Sequence, residues 1–139
     1  PGEVLVAGPH VNPGYLDDPE AEAQTKVRDG ETIWHRTGDA GFLDDANDLW
    51  LVGRVDEDIA GLWPLMAEGA AERLPFVRRA GLVASGGEPV IAVELDSPPD
   101  DWSDQVSAVT GARAIAVDEV PVDPRHNAKV DRDRLAAII

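Results

Sequence analysis

The pattern of apolar and turn-forming residues changes near Gly53 and Arg54, and this change most constrains how the chain can fold. Before that point, short apolar runs at residues 4–7, 32–35 and 49–52 stand between glycine, proline and polar turn formers. Such runs predict three short strands joined by turns. Three short strands bury little core by themselves, so we expect this segment to pack on further protein.

After Gly53 the pattern becomes mixed. Apolar runs at residues 80–84, 89–95 and 114–117 predict a three-stranded sheet, in which the first two strands are antiparallel partners across a Ser-Gly-Gly turn. Helices are predicted between and after these strands. Each is expected to bury an apolar face, listed in chain order as Met66, Ala70 and Leu74, then Trp102, Val106 and Val109, then Leu135 with Ile138 or Ile139.

The expected fold is therefore α+β in two parts. Residues 1–53 are predicted to be a short β-rich segment that belongs to a larger N-terminal domain. Residues 54–139 are predicted to form a small α+β lobe with a three-stranded sheet and two to three helices. Pro64 can open the first of these helices, and Asp131 can cap the last.

The charge of the chain limits its partners. Twelve basic residues stand against 27 acidic ones, which gives a formal charge of −15. Such a surface repels phosphate backbones, so we expect no nucleic-acid partner, and a nucleotide site must rely on a few well-placed cations. We also expect no protein-bound metal, because cysteine is absent and the histidines are scattered. Without a signal peptide or an apolar run of membrane length, a cytoplasmic protein is expected.

Four segments together resemble motifs of the adenylate-forming superfamily, in that family's order. The superfamily includes acyl-CoA synthetases, luciferases, adenylation domains of peptide synthetases and β-lactone synthetases. The resemblance covers nearly the whole chain. The segments are Gly2-Glu3-Val4-Leu5-Val6-Ala7-Gly8 with Gly14-Tyr15-Leu16, then Trp34-His35-Arg36-Thr37-Gly38-Asp39, then Gly53-Arg54-Val55-Asp56, and finally Asn127-Ala128-Lys129-Val130-Asp131-Arg132.

This resemblance implies a reaction and a set of partners. In the superfamily, a carboxylic acid attacks the α-phosphate of ATP. The chain would be the C-terminal part of such an enzyme and would be inactive alone. ATP and Mg²⁺ would be bound mainly by the preceding adenylating domain, because the phosphate loop, the acid pocket and the adenine-stacking strand are not in this chain.

The resemblance also implies a nucleotide site at Thr37, Asp39 and Arg54. A short carboxylate such as Asp39 can accept two hydrogen bonds from the ribose hydroxyls, each contributing about 1.5–3 kcal/mol. The planar guanidinium of Arg54 suits ribose or phosphate oxygens beside it. The alternatives are an aspartate that caps its own turn and an arginine in a surface ion pair.

Lys129 is the predicted catalytic residue, and Asp56 is the predicted hinge. A compact ammonium can stabilise the charge that grows on the α-phosphoryl oxygens and can hold the reactants in line. Asp56 matches the residue at which the superfamily's small lobe rotates between half-reactions. The alternatives are a solvated lysine and an ordinary loop aspartate. Lys129 is one of only two lysines in the chain, the other being Lys26.

Two departures point towards the olefin-pathway β-lactone synthetases, which adenylate a long-chain β-hydroxy acid and close it on itself. Ala128 stands where the superfamily usually has glycine, within Arg125-His126-Asn127-Ala128-Lys129. The loop that follows Ile59 is short and lacks lysine, although it lines the pantetheine tunnel elsewhere in the superfamily. Two alternatives stay open: a fatty acyl-CoA synthetase or other carboxylic acid ligase, and a non-catalytic interaction module derived from such an enzyme.

Overall fold

A computed structural model of the chain describes residues 1–124 and 129–139, which divide into two compact units, Pro1–Asp56 and Glu57–Ile139. The sequence placed the boundary after Gly53. The strand Leu49–Arg54 stays paired with its neighbour up to Arg54, and one turn of 3-10 helix at Val55–Glu57 follows. The first unit therefore extends to Asp56.

The first unit is built around one long strand. β3 (Thr32–Leu43) is antiparallel to the three other described strands of the unit. β1 (Gly2–Ala7) pairs along most of it, from Trp34 to Gly41, whereas β2 (Lys26–Asp29) pairs with its first part and β4 (Leu49–Arg54) with its second. A short helix, α1 (Pro19–Thr25), precedes β2. Three strands were expected here. β2 was missed because its sequence, Lys-Val-Arg-Asp, contains no apolar run.

This unit buries few apolar side chains. Among its described residues, Ala40 and Val52 are the buried hydrophobic ones. Leu43, Leu49 and Trp50 are each more than half exposed, at 62%, 51% and 52%. Exposed apolar surface of this kind commonly marks a site of contact with other protein. That the unit packs on a larger domain stays a prediction.

The second unit has the predicted three-stranded sheet and three helices. β6 is the central strand, antiparallel to β5 and parallel to β7. The strands are β5 (Val77–Ser85), β6 (Glu88–Leu95) and β7 (Arg113–Ala116), and the helices are α2 (Pro64–Glu72), α3 (Trp102–Thr110) and α4 (Arg132–Ala136). The α+β fold expected from the sequence is confirmed.

The two faces of this sheet carry separate cores because neighbouring side chains on a strand point to opposite faces. Leu82 of β5 and Ile91 of β6 belong to the core that includes α2 and α3. Val83 and Ala92, the next residue on each strand, belong to the core that Leu135 of α4 completes.

Several predicted core positions were wrong. Met66 is 52% exposed, because the buried side of α2 is formed by Pro64, Ala67, Glu68 and Ala71. In α3, Val106 is fully buried but Val109 is 47% exposed. At the chain end, Ile138 is 58% exposed and Ile139 is 36% exposed, because α4 ends at Ala136. The predicted cap is confirmed, since Asp131 Oδ1 accepts a hydrogen bond from the Arg134 amide at 3.0 Å.

A glycine lets α4 approach the sheet. A side chain at Gly81 of β5 would place its Cβ 2.5 Å from Leu135 Cδ2 and 3.1 Å from Val130 Cγ1. Leu135 and Val130 would have to shift to accommodate such a side chain, so glycine permits the observed close packing. The segment at residues 129–136 is thereby held directly against β5.

A buried ion pair also ties α4 to the rest of the unit. The Arg132 guanidinium donates hydrogen bonds from Nη1 to Glu68 Oε1 and from Nη2 to Glu68 Oε2, the latter at 3.4 Å. The same Oε1 accepts the Leu82 amide hydrogen at 2.9 Å. Burial raises the pKa of Glu68, although the hydrogen bonds from Arg132 and Leu82 oppose that rise.

Truncating Leu135 should weaken the second unit much more than truncating its exposed neighbour. Leu135 is fully buried, so Leu135→Ala should lower the free energy of unfolding by about 2–5 kcal/mol. Ile138→Ala, a matched change at an exposed position, should cost less than about 0.5 kcal/mol. Urea unfolding of both variants measures the difference, and equal losses would contradict the described packing.

Replacing Glu68 should remove a pH-dependent loss of stability. Because the folded-state pKa of Glu68 lies above its ordinary value of 4.5, the stabilisation it provides is complete below that value and is lost as pH rises through the folded pKa. Glu68→Gln cannot ionise. The free energy of unfolding of the variant relative to the parent should therefore rise between about pH 4 and about pH 7. Urea unfolding at both pH values tests this, and a constant or falling difference would contradict it.

Candidate functional site

The first unit brings together the three predicted nucleotide-binding residues. Asp39 of β3 and Arg54 of β4 are directly opposite each other in the strand pairing. Arg54 Nη1 donates to Asp39 Oδ1 at 2.9 Å and to the Thr37 carbonyl at 3.1 Å. Strand register, and not proximity in sequence, therefore creates this cluster.

A glycine makes room for the guanidinium. Gly38 has φ of +73°, in the left-handed region that favours glycine. A Cβ on this residue would lie 2.6 Å from Arg54 Nη2. The glycine in Thr37-Gly38-Asp39 thus allows both the backbone conformation and the close approach of Arg54.

The Thr37 hydroxyl makes two hydrogen bonds within the first unit. It donates to the Val4 carbonyl at 2.9 Å and accepts the Asp39 amide hydrogen at 3.0 Å. Thr37 therefore ties β1 to the part of β3 that presents Asp39. A direct contact between Thr37 and a ligand stays a prediction.

The Asp39–Arg54 pair is open to solvent. The Arg54 side chain is 47% exposed and the Asp39 side chain 37% exposed. Exposed pairs contribute only about 0–1 kcal/mol, so a ligand can rearrange this one at little cost. The adjacent cation, Arg36, is held by Glu3 at 2.7 Å, and the hydrogen bond from Arg36 lowers the pKa of Glu3. Glu3 was not singled out from the sequence.

The second unit fixes the backbone of Lys129 and leaves its side chain exposed. Val122 and Val130 form an antiparallel bridge, and the Asp123 amide donates to the Lys129 carbonyl at 2.8 Å. The Lys129 side chain is 61% exposed, with Nζ 4.0 Å from Glu57 Oε1. An exposed ion pair at this distance is weak, so the ammonium can move to another anion.

An open pocket of about 620 Å³ lies beside Lys129. Its charged lining among the described residues is four carboxylates and two cations: Glu57, Asp123, Asp131, Asp133, Lys129 and Arg132. Lys129 and Arg132 are thus the cations that the described part of this pocket offers to an anion.

The predicted hinge lies where the two units meet in sequence. Asp56 is the last residue of the first unit and lies in the 3-10 turn Val55–Glu57. Hinges are commonly a few residues at the ends of elements. Its position suits a hinge, and rotation about Asp56 stays a prediction.

The short loop after the hinge is a tight turn. Ile59 and Leu62 exchange two backbone hydrogen bonds of 3.0 and 2.9 Å across Ala60 and Gly61. Both central residues have positive φ, 51° and 85°, as in a type I′ turn. Asp58 Oδ1 closes the turn by accepting the Gly61 amide hydrogen at 2.9 Å. The loop therefore presents two small residues.

Sequence reasoning missed three residues near Lys129: Glu57, Glu68 and Arg132. Arg132 lies inside the last quoted motif and Glu57 directly follows the motif that ends at Asp56, so their opposite charges were a signal that could have been followed. Glu68 was hidden because Met66, not Glu68, was assigned to the buried side of α2. The residues Arg125, His126, Asn127 and Ala128, on which the departure from the usual glycine rests, lie outside the described residues.

The described residues contain neither a cluster suited to a metal ion nor a helix suited to crossing a membrane. Within residues 1–124 and 129–139, no three histidine or acidic side chains are grouped to hold a metal ion. The helices described there fall short of the length and apolar character that a membrane crossing requires.

The chain is similar to adenylate-forming enzymes. It is 33% identical, over 97% of its length, to an olefin β-lactone synthetase of Stenotrophomonas maltophilia, of which it spans 29%. It is 46% identical, over 41% of its length, to 4-coumarate–CoA ligase 1 of Solanum tuberosum, of which it matches 10%. No protein-family model matches the chain.

Its fold matches that of O-succinylbenzoate CoA synthetase from Bacillus subtilis, solved in complex with AMP. The TM-score is 0.72 at 24% identity, over 96% of this chain and 30% of that one. The chain matches these two proteins over nearly its own whole length, but it spans less than a third of theirs.

Proposed function

The chain belongs to the adenylate-forming superfamily, and on this premise we propose that the full-length protein activates a carboxylic acid with ATP. In the proposed step, a carboxylate oxygen forms a bond to the α-phosphorus of ATP while the bond from that phosphorus to the bridging oxygen breaks. The products are an acyl-adenylate and pyrophosphate. The observation that carries this proposal is Lys129, whose backbone is fixed and whose ammonium is exposed and weakly paired.

We assign Lys129 to the reacting phosphate. Negative charge grows on the α-phosphoryl oxygens and the bridging oxygen during the attack, and an ammonium placed against them lowers the barrier. The Gly/Ser/Thr-rich phosphate loop that the superfamily uses is not in this chain. We therefore assign the triphosphate and its Mg²⁺ to the larger part of the protein outside this chain.

We assign Asp39 and Arg54 to the ribose. The exposed carboxylate can accept hydrogen bonds from two neighbouring hydroxyls, and Arg54 Nη1 holds one of its oxygens in place. Thr37 contributes by fixing this part of β3 through its hydrogen bonds to Val4 and Asp39. Asp56 is proposed as the hinge about which the second unit turns.

A fatty β-hydroxy acid that closes to a β-lactone is the substrate we favour. In the second step, the β-hydroxyl oxygen would attack the acyl carbonyl carbon, the bond to the adenylate would break, AMP would leave and the hydroxyl proton would pass to water. No CoA is needed. Similarity to an olefin β-lactone synthetase across 97% of the chain supports this proposal, as does the tight turn at Ala60 and Gly61.

A carboxylate–CoA ligase is the second candidate. The 46% identity to a 4-coumarate–CoA ligase is higher than the 33% and 32% identity to two lactone synthetases, but it extends over only 41% of the chain. Both candidates share the adenylation step. They differ in whether the acyl group passes to a thiol or to its own hydroxyl.

Replacing Lys129 should abolish adenylation and spare binding. In the full-length protein, Lys129→Ala should slow pyrophosphate release by at least about a hundredfold, while the affinity for ATP changes little. Arg134→Ala, which removes an exposed cation from α4, is the control and should keep the parent rate. A Lys129→Ala rate within about tenfold of the parent, ~1.4 kcal/mol, would refute the assigned role. A parent protein that releases no pyrophosphate with any acid would favour a non-catalytic module.

The product should distinguish the two candidates. With ATP, CoA and a long-chain β-hydroxy acid, mass spectrometry should detect β-lactone and no acyl-CoA. With the matched fatty acid that lacks the hydroxyl group, pyrophosphate should still be released, but neither product should form. Accumulation of acyl-CoA would reject lactone formation in favour of the CoA ligase.

A further inference from the structure

Arg132 connects three parts of the second unit. Its Nη atoms donate to both carboxylate oxygens of Glu68 in α2, and Nη1 also donates to the Leu82 carbonyl in β5 at 3.2 Å. Its Nε lies 3.7 Å from Glu57 Oε2. The arginine thus joins the start of α4 to one helix, one strand and the segment that follows Asp56.

Lys129 shares one partner with Arg132. It stands three residues before Arg132, and the two side chains approach opposite oxygens of Glu57, at 4.0 and 3.7 Å. Val130, the residue after Lys129, is held in the antiparallel bridge to Val122. The bridge and Arg132 therefore hold the chain directly C-terminal to Lys129.

We propose that Arg132 is a positioning residue for the adenylation step, holding the Lys129 segment where its ammonium can reach the α-phosphate. This inference rests on the proposed role of Lys129. A lysine side chain is long and flexible, so the place of its backbone decides where the ammonium can go. Misplacement by about 1 Å can cost about a hundredfold in rate.

Stability alone accounts poorly for this arginine. A buried ion pair is often no more stabilising than apolar residues of similar size. Arg132 Nε is buried and has no hydrogen-bond partner among the described residues, which an optimised core would avoid. What the planar fork of Arg132 supplies is a fixed geometry among Glu68, Leu82 and Glu57.

The first test separates rate from binding in the full-length enzyme. Arg132→Met should lower kcat for acid-dependent pyrophosphate release about tenfold to a hundredfold, with KM for ATP changed by less than about threefold. Arg134→Met, the same substitution on an exposed part of α4, should keep both values within about twofold. Equal rates for the two variants would overturn the proposal.

A second variant separates positioning from folding. Arg132→Met leaves Glu68 buried without its cation, which should lower Tm. Arg132→Met/Glu68→Gln removes that buried charge and keeps an acceptor for the Leu82 amide, so Tm should recover. If Arg132 positions Lys129, kcat should stay low in the double variant. Recovery of kcat together with Tm would show a merely structural role and overturn the proposal.

The decisive test is a double-mutant cycle with Lys129→Ala, measured in single turnovers with excess enzyme. If Arg132 acts through Lys129, Arg132→Met should cause no further loss once Lys129 has been replaced. Multiplied losses in the double variant would overturn the positioning role and leave the role of Lys129 intact. If Lys129→Ala alone keeps the parent rate, the proposed function itself fails, and the two failures are thus distinguished.

Discussion

The contact between α4 and β5 is the constraint on which the second unit depends. Gly81 has no side chain, so Leu135 can lie against β5, and the Arg132 fork reaches across to Glu68 and the Leu82 carbonyl. The apolar contact supplies most of the stabilisation, because buried ion pairs add little net free energy. The hydrogen bonds of Arg132 orient the start of α4 relative to α2 and β5. Together they determine where the chain enters α4, and therefore where Lys129 stands.

In the proposed function, the two units of the chain have separate tasks. In the first unit, strand pairing places an exposed carboxylate beside a guanidinium, an arrangement suited to ribose hydroxyls. In the second unit, the Asp123 amide holds the Lys129 carbonyl, and the Lys129 ammonium is exposed. The phosphate loop that the superfamily uses is not in this chain. The proposed chemistry therefore requires the larger part of the protein, in agreement with the 29% of a lactone synthetase that the chain spans.

The sequence predicted the α+β fold and the sheet of the second unit because Gly and Pro bound apolar runs of strand length there. The sequence-based prediction failed where polar residues occupy a strand or the buried side of a helix. The strand Lys26–Asp29 is polar, and the buried side of α2 contains Glu68 in place of the larger Met66. Motifs predicted Asp39, Arg54 and Lys129. The partner Glu68 could not be predicted, because it approaches Arg132 only through the tertiary packing of distant segments.

The most direct measurement is a structure of the full-length protein with a non-hydrolysable acyl-adenylate analogue. The account predicts Lys129 Nζ about 2.7–3.2 Å from an oxygen of the α-phosphate, with the Asp39 carboxylate hydrogen-bonded to the ribose. It would be contradicted if, in every conformer of the bound enzyme, the Lys129 ammonium faced solvent or stayed with Glu57.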